Sequence, residues 1–310
     1  MRVDLLALIC CPKCGSDIKL SENYEHNGIS INFGKLECIN CRAYFLIKDG
    51  IPILIGGNQA QKREKEERDE LAKTYLNASS QELLNIISHH HHISIMKRRA
   101  RIFASKFNSG EIMCDIGIGW GWHWIGIRQP NIIGVDFSFN SLQIAKKLLE
   151  KQIDKNVHLI CADASSLPLK NKVIEGVWSV QSLQHLPPYD LITAFTKIKE
   201  VLKEYRMEIY WVNYTGLVEL LHKIFNKTYP KTTLTPYFYH KISKKELVEI
   251  IKANMGIQET DIEISYNETL FNPDLKIIHN FNIWPIDVFL GKIPFINSFL
   301  GRQITAKINV

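Results

Sequence analysis

The stretch CDIGIGWGWHW (residues 114–124) decides how this chain is read. It opens with the end of an apolar run, EIMCDI, and then sets Gly117, Gly119 and Gly121 at alternate positions after Asp115. Glycine is required where a chain turns sharply and its backbone must lie against a ligand without a Cβ. A dinucleotide-binding loop needs G-x-G-x-x-G. Counting from Gly117, the sixth position is Trp122, so the nicotinamide and flavin fingerprint fails.

Outward from the loop the chain alternates between strand-like and helix-like segments. WHWIGIR predicts a helix, NIIGVD a strand, SLQIAKKLLEKQ a helix, VHLICAD a strand and VIEGVWSVQS another. LITAFTKIKEVLK then predicts a helix and MEIYWVNY a strand. Such alternation specifies a doubly wound, mostly parallel sheet with helices on both faces. Asp136 closes the second strand, where a carboxylate can accept from both hydroxyls of a ribose. Asp115, Asp136 and Asp163 end successive strands, and in an open α/β sheet those ends share one crevice.

The ordered set D-x-G-x-G-x-G, Asp136 and Asp163 resembles the motifs of class I S-adenosylmethionine-dependent methyltransferases, over residues 97–212. Among these it is most similar to the small-molecule enzymes related to ubiquinone and menaquinone methyltransferases. The resemblance implies a seven-stranded Rossmann-like methyltransferase fold and S-adenosylmethionine as cofactor. It implies a cofactor site at Asp115, Gly117, Gly119, Gly121, Asp136, Phe137, Asp163, Ala164 and Gln181. Within that site Asp115 attends the methionine moiety and Asp163 the adenine amino group. His185, in VQSLQHLPPYD, takes the acceptor-facing position, either as a general base or as a residue that only shapes the pocket. Two features depart from the family pattern: Ile174-Glu175 before the fourth strand, and the bulky Trp120 and Trp122 in the glycine loop.

The N-terminal region carries a different chemistry. Cys11-x-x-Cys14 and Cys38-x-x-Cys41 form two knuckles, and an Asn27-Gly28 turn suits the hairpin between them. Four thiolates in a tetrahedron make a closed, structural Zn2+ site, with iron or redox dithiols as the alternatives. Cys10 falls outside this register, and Cys114 and Cys161 read as small buried apolar groups. The pattern LLALICCPKCGSDIKL … LECINCRAYFLIKDGIPILI, over residues 5–55, resembles the zinc-ribbon proteins that activate tRNA and protein methyltransferases.

The organisation expected is a zinc ribbon at 1–57, a helical linker and lid at 58–106, and a methyltransferase domain at 107–310. A substrate-specificity insertion falls at about 215–300, rich in aromatics such as Tyr229, Tyr237, Phe271 and Trp284. His89–His92 read as an exposed face or as part of the lid, since neighbouring helical residues diverge round the axis. With 310 residues and 45% hydrophobic content the chain is neither disordered nor collagen-like. No run of about 18 uncharged apolar residues predicts a membrane span, and the early cysteines predict a cytoplasmic protein.

The net charge of +6 is concentrated at 62–106, while residues 1–55 carry six basic and six acidic groups. A neutral ribbon argues against RNA, whose phosphates demand Lys and Arg; KRRAR (residues 97–101) argues weakly for it. A small-molecule acceptor is therefore favoured over an RNA methyltransferase, and over a non-catalytic module with a degenerate fold. Self-association or a partner would use the ribbon or the apolar segment IWPIDVFLGKIPFINSFL.

Overall fold

The computed structural model describes residues 1–22, 24–27, 30–56, 62–88, 91–150, 152, 156–212, 242–267, 289, 293, 295–301 and 303–309. The greater part of the aromatic insertion, including Tyr229, Tyr237, Phe238, Tyr239, Phe271, Phe281 and Trp284, lies outside the described residues, as do Gly28, His89 and His90.

Seven strands form the central sheet. They are β6 (Ile112–Ile116), β7 (Asn131–Asp136), β8 (Val157–Ala162), β9 (Gly176–Val180), β10 (Arg206–Val212), β11 (Ile262–Asn267) and β12 (Gln303–Asn309). Their order is β8-β7-β6-β9-β10-β12-β11. Strands β8 through β10 run parallel, and β12 is antiparallel to both β10 and β11. The order reverses between β6 and β9, so the ends of those two strands flank the crevice where open α/β sheets take ligands.

Alternating side chains supply two apolar faces. Cys114, Ile133, Val135, Ile160 and Val177 meet helices α5 (Pro188–Val201) and α6 (Lys244–Met255), through Leu191, Phe195, Ile198, Leu247 and Ile251. Met113, Ile132, Leu159 and Trp178 meet helices α3 (His91–Ala104) and α4 (Phe139–Leu148), through Met96, Ala100, Phe103, Leu142 and Ala145. Strands buried on both faces read as continuous apolar runs, which is why NIIGVD and VHLICA do not alternate. Helix α4 starts at Ser138, whose hydroxyl accepts from Ser141 N, and α6 carries a full capping box from Ser243 and Glu246.

The N-terminal strands β1 (Ile18–Leu20), β2 (Glu25–Asn27), β3 (Ser30–Cys38), β4 (Tyr44–Lys48) and β5 (Ile51–Leu54) form an antiparallel ribbon. The sequence reading draws a boundary at residue 57, but β5 runs parallel to β8, pairing Ile53 with Cys161 and Leu54 with Ala162. One sheet therefore passes through both regions. The first knuckle reinforces this: Cys10 N donates to Pro168 O at 3.0 Å and Lys170 N to Leu8 O at 2.8 Å.

Between ribbon and sheet lie α1 (Lys62–Lys73), α2 (Ser80–Ser88) and α3. The helix expected for WHWIGIR is a single 3-10 turn at Trp122–Trp124. Gly121 and Gly126 hold left-handed φ values of +65° and +83°, and His123 and Trp124 turn into the core.

Candidate active site

The glycine loop, the start of α4, the turn after β8 and the turn after β9 enclose a cavity of about 350 Å³ at the carboxyl ends of the strands. Of the predicted residues, Gly117, Gly119, Asp136, Phe137, Ala164, Gln181 and His185 line it. Sequences remote from one another, at 117–119, 136–137 and 181–185, are thus gathered by the order of β6, β7 and β9.

Asp136 is its central charged group. Its Oδ2 accepts from Gly119 N at 2.8 Å, and its Oδ1 from Ser138 N at 2.9 Å. A carboxylate has about four acceptor positions, so both oxygens keep capacity for a further donor. Burial raises the Asp136 pKa to about 6, opposed by the two backbone N–H groups and by the Arg68 guanidinium. The loop that faces it is built around a close contact. A Cβ at Gly117, whose φ is +77°, would fall 2.1 Å from Ser182 Oγ. Only glycine allows the loop to lie against the turn after β9.

That turn, residues 181–186, brings His185 to the cavity on a 3-10 turn at Leu183–His185. Gln184 Oε1 accepts from Val212 N at 2.9 Å and ties the turn to β10. Gln181 holds a positive φ of 51°, its N–H donates to Tyr210 O, and its buried Nε2 has no hydrogen-bond partner.

Three predicted residues stand off the lining. Asp115 is fully buried and is not among the cavity-lining residues. Its Oδ2 is held by Trp124 Nε1 at 2.6 Å and by the His123 ring Nε2 at 2.9 Å. These bonds pin the far end of the glycine loop, while the buried Oδ1 has no hydrogen-bond partner among the described residues. Gly121 belongs to that same end, where a Cβ would meet Leu149 Cδ1 at 2.7 Å, so its role is packing against α4. Asp163 caps the turn that follows it: its Oδ1 accepts from Ser165 N at 2.8 Å and from Ser165 Oγ at 2.9 Å. Such local bonds are common for short polar side chains, and the neighbouring Ala164 lines the cavity.

The cavity also contains residues that the sequence did not single out. Arg68 and Leu71 of α1 and Ser182 line it. Arg68 sits in the run KREKEERDE, whose mixed charge reads as a solvated face, and no local signal separates it from its neighbours. The adjacent Trp120 and Trp122 line the cavity from the loop.

A second constellation lies in the ribbon. Cys11, Cys14, Cys38 and Cys41 bring their sulfurs within 4.8 Å of one another, with Cys11–Cys41 at 3.7 Å and Cys14–Cys38 at 3.4 Å. A tetrahedral zinc with bonds of about 2.3 Å needs sulfurs roughly 3.8 Å apart, so the donor set fits that ion. Cys10 is excluded from the cluster, its thiol donating to Leu169 O at 3.3 Å. The side chains of His91 and His92 lie outside the described residues, as do His89 and His90.

The sheet order, the glycine loop and the crevice beside β6 define a Rossmann-like methyltransferase fold. Comparison with known proteins agrees: residues 113–205 match the family model described as a methyltransferase domain. Phosphoethanolamine N-methyltransferase 2 of Caenorhabditis elegans is 32% identical over 103 residues, covering 31% of this chain and 22% of that protein. Demethylmenaquinone methyltransferase of Lactococcus lactis subsp. lactis is 35% identical over 72 residues, covering 23% and 28% respectively. The chain thus spans between a fifth and a third of the length of these relatives. Among solved structures, phosphoethanolamine N-methyltransferase 2 of Haemonchus contortus in complex with S-adenosyl-L-methionine superposes with a TM-score of 0.50 at 18% identity. That superposition covers 93% of this chain and 71% of the other, a likeness of fold. The ribbon lies outside the matched segment. Among the described residues no helix is long and apolar enough to cross a membrane.

Proposed function

We propose that this chain is an S-adenosylmethionine-dependent methyltransferase acting on a small molecule, with a structural zinc in its ribbon. The observation that carries the reading is Asp136, a buried carboxylate with spare acceptor capacity, held by Gly119 N across the cavity from the turn bearing His185. The names of the similar proteins support a low-molecular-weight acceptor, since they refer to phosphoethanolamine and demethylmenaquinone.

S-adenosylmethionine, when bound, would supply a sulfonium methyl group to the acceptor and leave as S-adenosylhomocysteine. The residues of the chain then have to bind, orient and exclude water, which is catalysis by proximity. Asp136 takes the ribose hydroxyls, while Gly117 and Gly119 present backbone to the methionine end. Phe137 and Ala164 bound the adenine side, and Gln181 closes the cavity toward β10. His185, on the acceptor side, takes the proton from a hydroxyl or an acidic carbon as the acceptor's electron pair bonds to the methyl carbon. Of the insertion expected at about 215–300, residues 244–255 and 262–267 belong instead to α6 and β11 of the core, and acceptor choice is assigned to the remainder, as to variable insertions generally.

Cys11, Cys14, Cys38 and Cys41 would hold the zinc, and a site closed by four thiolates leaves no open position for chemistry. Calorimetric titration with S-adenosylhomocysteine tests the cofactor reading: saturable heat at one site per chain is expected. No heat and no thermal shift at millimolar ligand would overturn it.

A further inference from the structure

The matched segment begins at residue 113, yet part of the cavity wall comes from α1, about forty residues earlier. Helix α1 is not loosely apposed. Asp69 Oδ1 accepts from Ser138 Oγ at 2.6 Å and from Asn140 N at 3.2 Å, and Asp69 O accepts from Asn140 Nδ2 at 3.0 Å. These donors belong to the N-cap and first turn of α4, where backbone N–H groups lack intrahelical partners and favour a negative charge. Ser138 is also the residue whose N–H holds Asp136 Oδ1. A hydrogen-bonded chain therefore runs from α1 through Ser138 to the ribose carboxylate. Beyond the end of α1, Tyr75 meets Trp120 of the glycine loop edge-to-face at 5.1 Å.

We propose that α1 is a working part of the cofactor site: Asp69 is a positioning residue that latches the helix to the start of α4, and the latched helix holds Arg68 over Asp136 as the cation that keeps a buried carboxylate ready for the ribose hydroxyls. This rests on the cofactor reading given above. The charges that act on Asp136 are Arg68 from α1 and Asp115 from β6; Cys161 of β8 feels Asp136 together with Lys65 and Asp69 of α1, and His185 lines the same cavity. Of the two cations, Arg68 lines the cavity. Burial disfavours the ionised carboxylate, and the Arg68 charge opposes that effect.

The test is calorimetric titration of the whole chain with S-adenosylhomocysteine from pH 5 to pH 8. It compares the wild type with Arg68→Met, Arg68→Lys, Asp69→Ala and Asp69→Asn. A neighbouring opposite charge moves a carboxyl pKa by about one to three units. Arg68→Met should therefore shift the acid limb of binding upward by roughly one pH unit and weaken binding at pH 7, with Arg68→Lys restoring most of both. Asp69→Ala should weaken binding several-fold, and Asp69→Asn, which retains an oxygen for Ser138 Oγ and Asn140 N, should stay near wild type. A purely structural role for Arg68 would lower the melting temperature without moving the acid limb. An unmoved limb and unchanged affinity in Arg68→Met would overturn the proposal, and so would equal affinities in Asp69→Ala and wild type. If the wild type itself fails to bind, the cofactor reading falls and this inference with it; if the wild type binds and Arg68→Met matches it, only the inference falls.

Discussion

Replacing Asp136 by Ala should separate ligand binding from folding. In the ligand-free protein the carboxylate satisfies Gly119 N and Ser138 N, and its loss leaves two N–H groups short of a partner. A buried unsatisfied donor costs about 1–3 kcal/mol. Against this, burial raises the Asp136 pKa from 3.8 to about 6. A raised folded-state pKa favours the protonated native form. Its contribution to stability is fully present below pH 3.8 and is lost as pH rises through 6, a loss of about 3 kcal/mol at neutral pH. Removing the carboxylate relieves that loss but leaves two donors unsatisfied, about 2–6 kcal/mol in all, so Asp136→Ala should melt at or somewhat below wild type. Binding has no such compensation. Hydrogen bonds to a charged group are worth about 1.5–3 kcal/mol, so affinity for S-adenosylhomocysteine should fall roughly ten- to a hundredfold. In the wild type, affinity should also decline as pH falls through about 6, where the carboxylate protonates. Calorimetry and thermal melting on the same samples read both quantities. Unchanged affinity in Asp136→Ala, or a wild-type affinity flat from pH 8 to pH 5, would refute the assignment of the ribose to this residue.

Other outcomes follow from the same geometry. His185→Ala should leave S-adenosylhomocysteine affinity nearly unchanged while turnover drops, because the residue faces the acceptor; an equal loss of affinity would place it on the cofactor side. Gly117→Ala should lower stability by about 1–3 kcal/mol, the range for overpacking, since the new Cβ would sit 2.1 Å from Ser182 Oγ at a φ of +77°. Adding Ser182→Gly should recover part of that loss in denaturant titrations. Elemental analysis should find one zinc per chain, lost in Cys38→Ser. Metal binding at such sites is coupled to folding, so zinc removal should also loosen the β5–β8 edge and lower the melting temperature.

The parts of the site legible in the sequence are those set by local rules. An aspartate at the end of an apolar run, a glycine loop after a strand, and paired C-x-x-C knuckles each carry their chemistry in a few adjacent residues. Asp136 and the four clustered cysteines stand where those rules predict. The partners of Asp115 Oδ2, by contrast, depend on His123 and Trp124 turning inward after Gly121, which no periodicity reveals. Asp163 caps its own turn through Ser165, two residues on, a pairing that a strand-end position alone does not indicate. Arg68 is hidden by its surroundings, one cation among many in a charged helix. The pairing of β5 with β8 joins residues more than a hundred positions apart. Either strand alone reads as an apolar run with no stated neighbour.

The central claim is that the cavity between the glycine loop and Asp136 supports methyl transfer to a small molecule. Its most direct test is incubation of the purified chain with methyl-labelled S-adenosylmethionine and a fractionated metabolite extract, with RNA added in a parallel reaction. The account predicts label in a low-molecular-weight product together with S-adenosylhomocysteine, both lost in Asp136→Ala. Label confined to RNA, or product formed undiminished by Asp136→Ala, would contradict it.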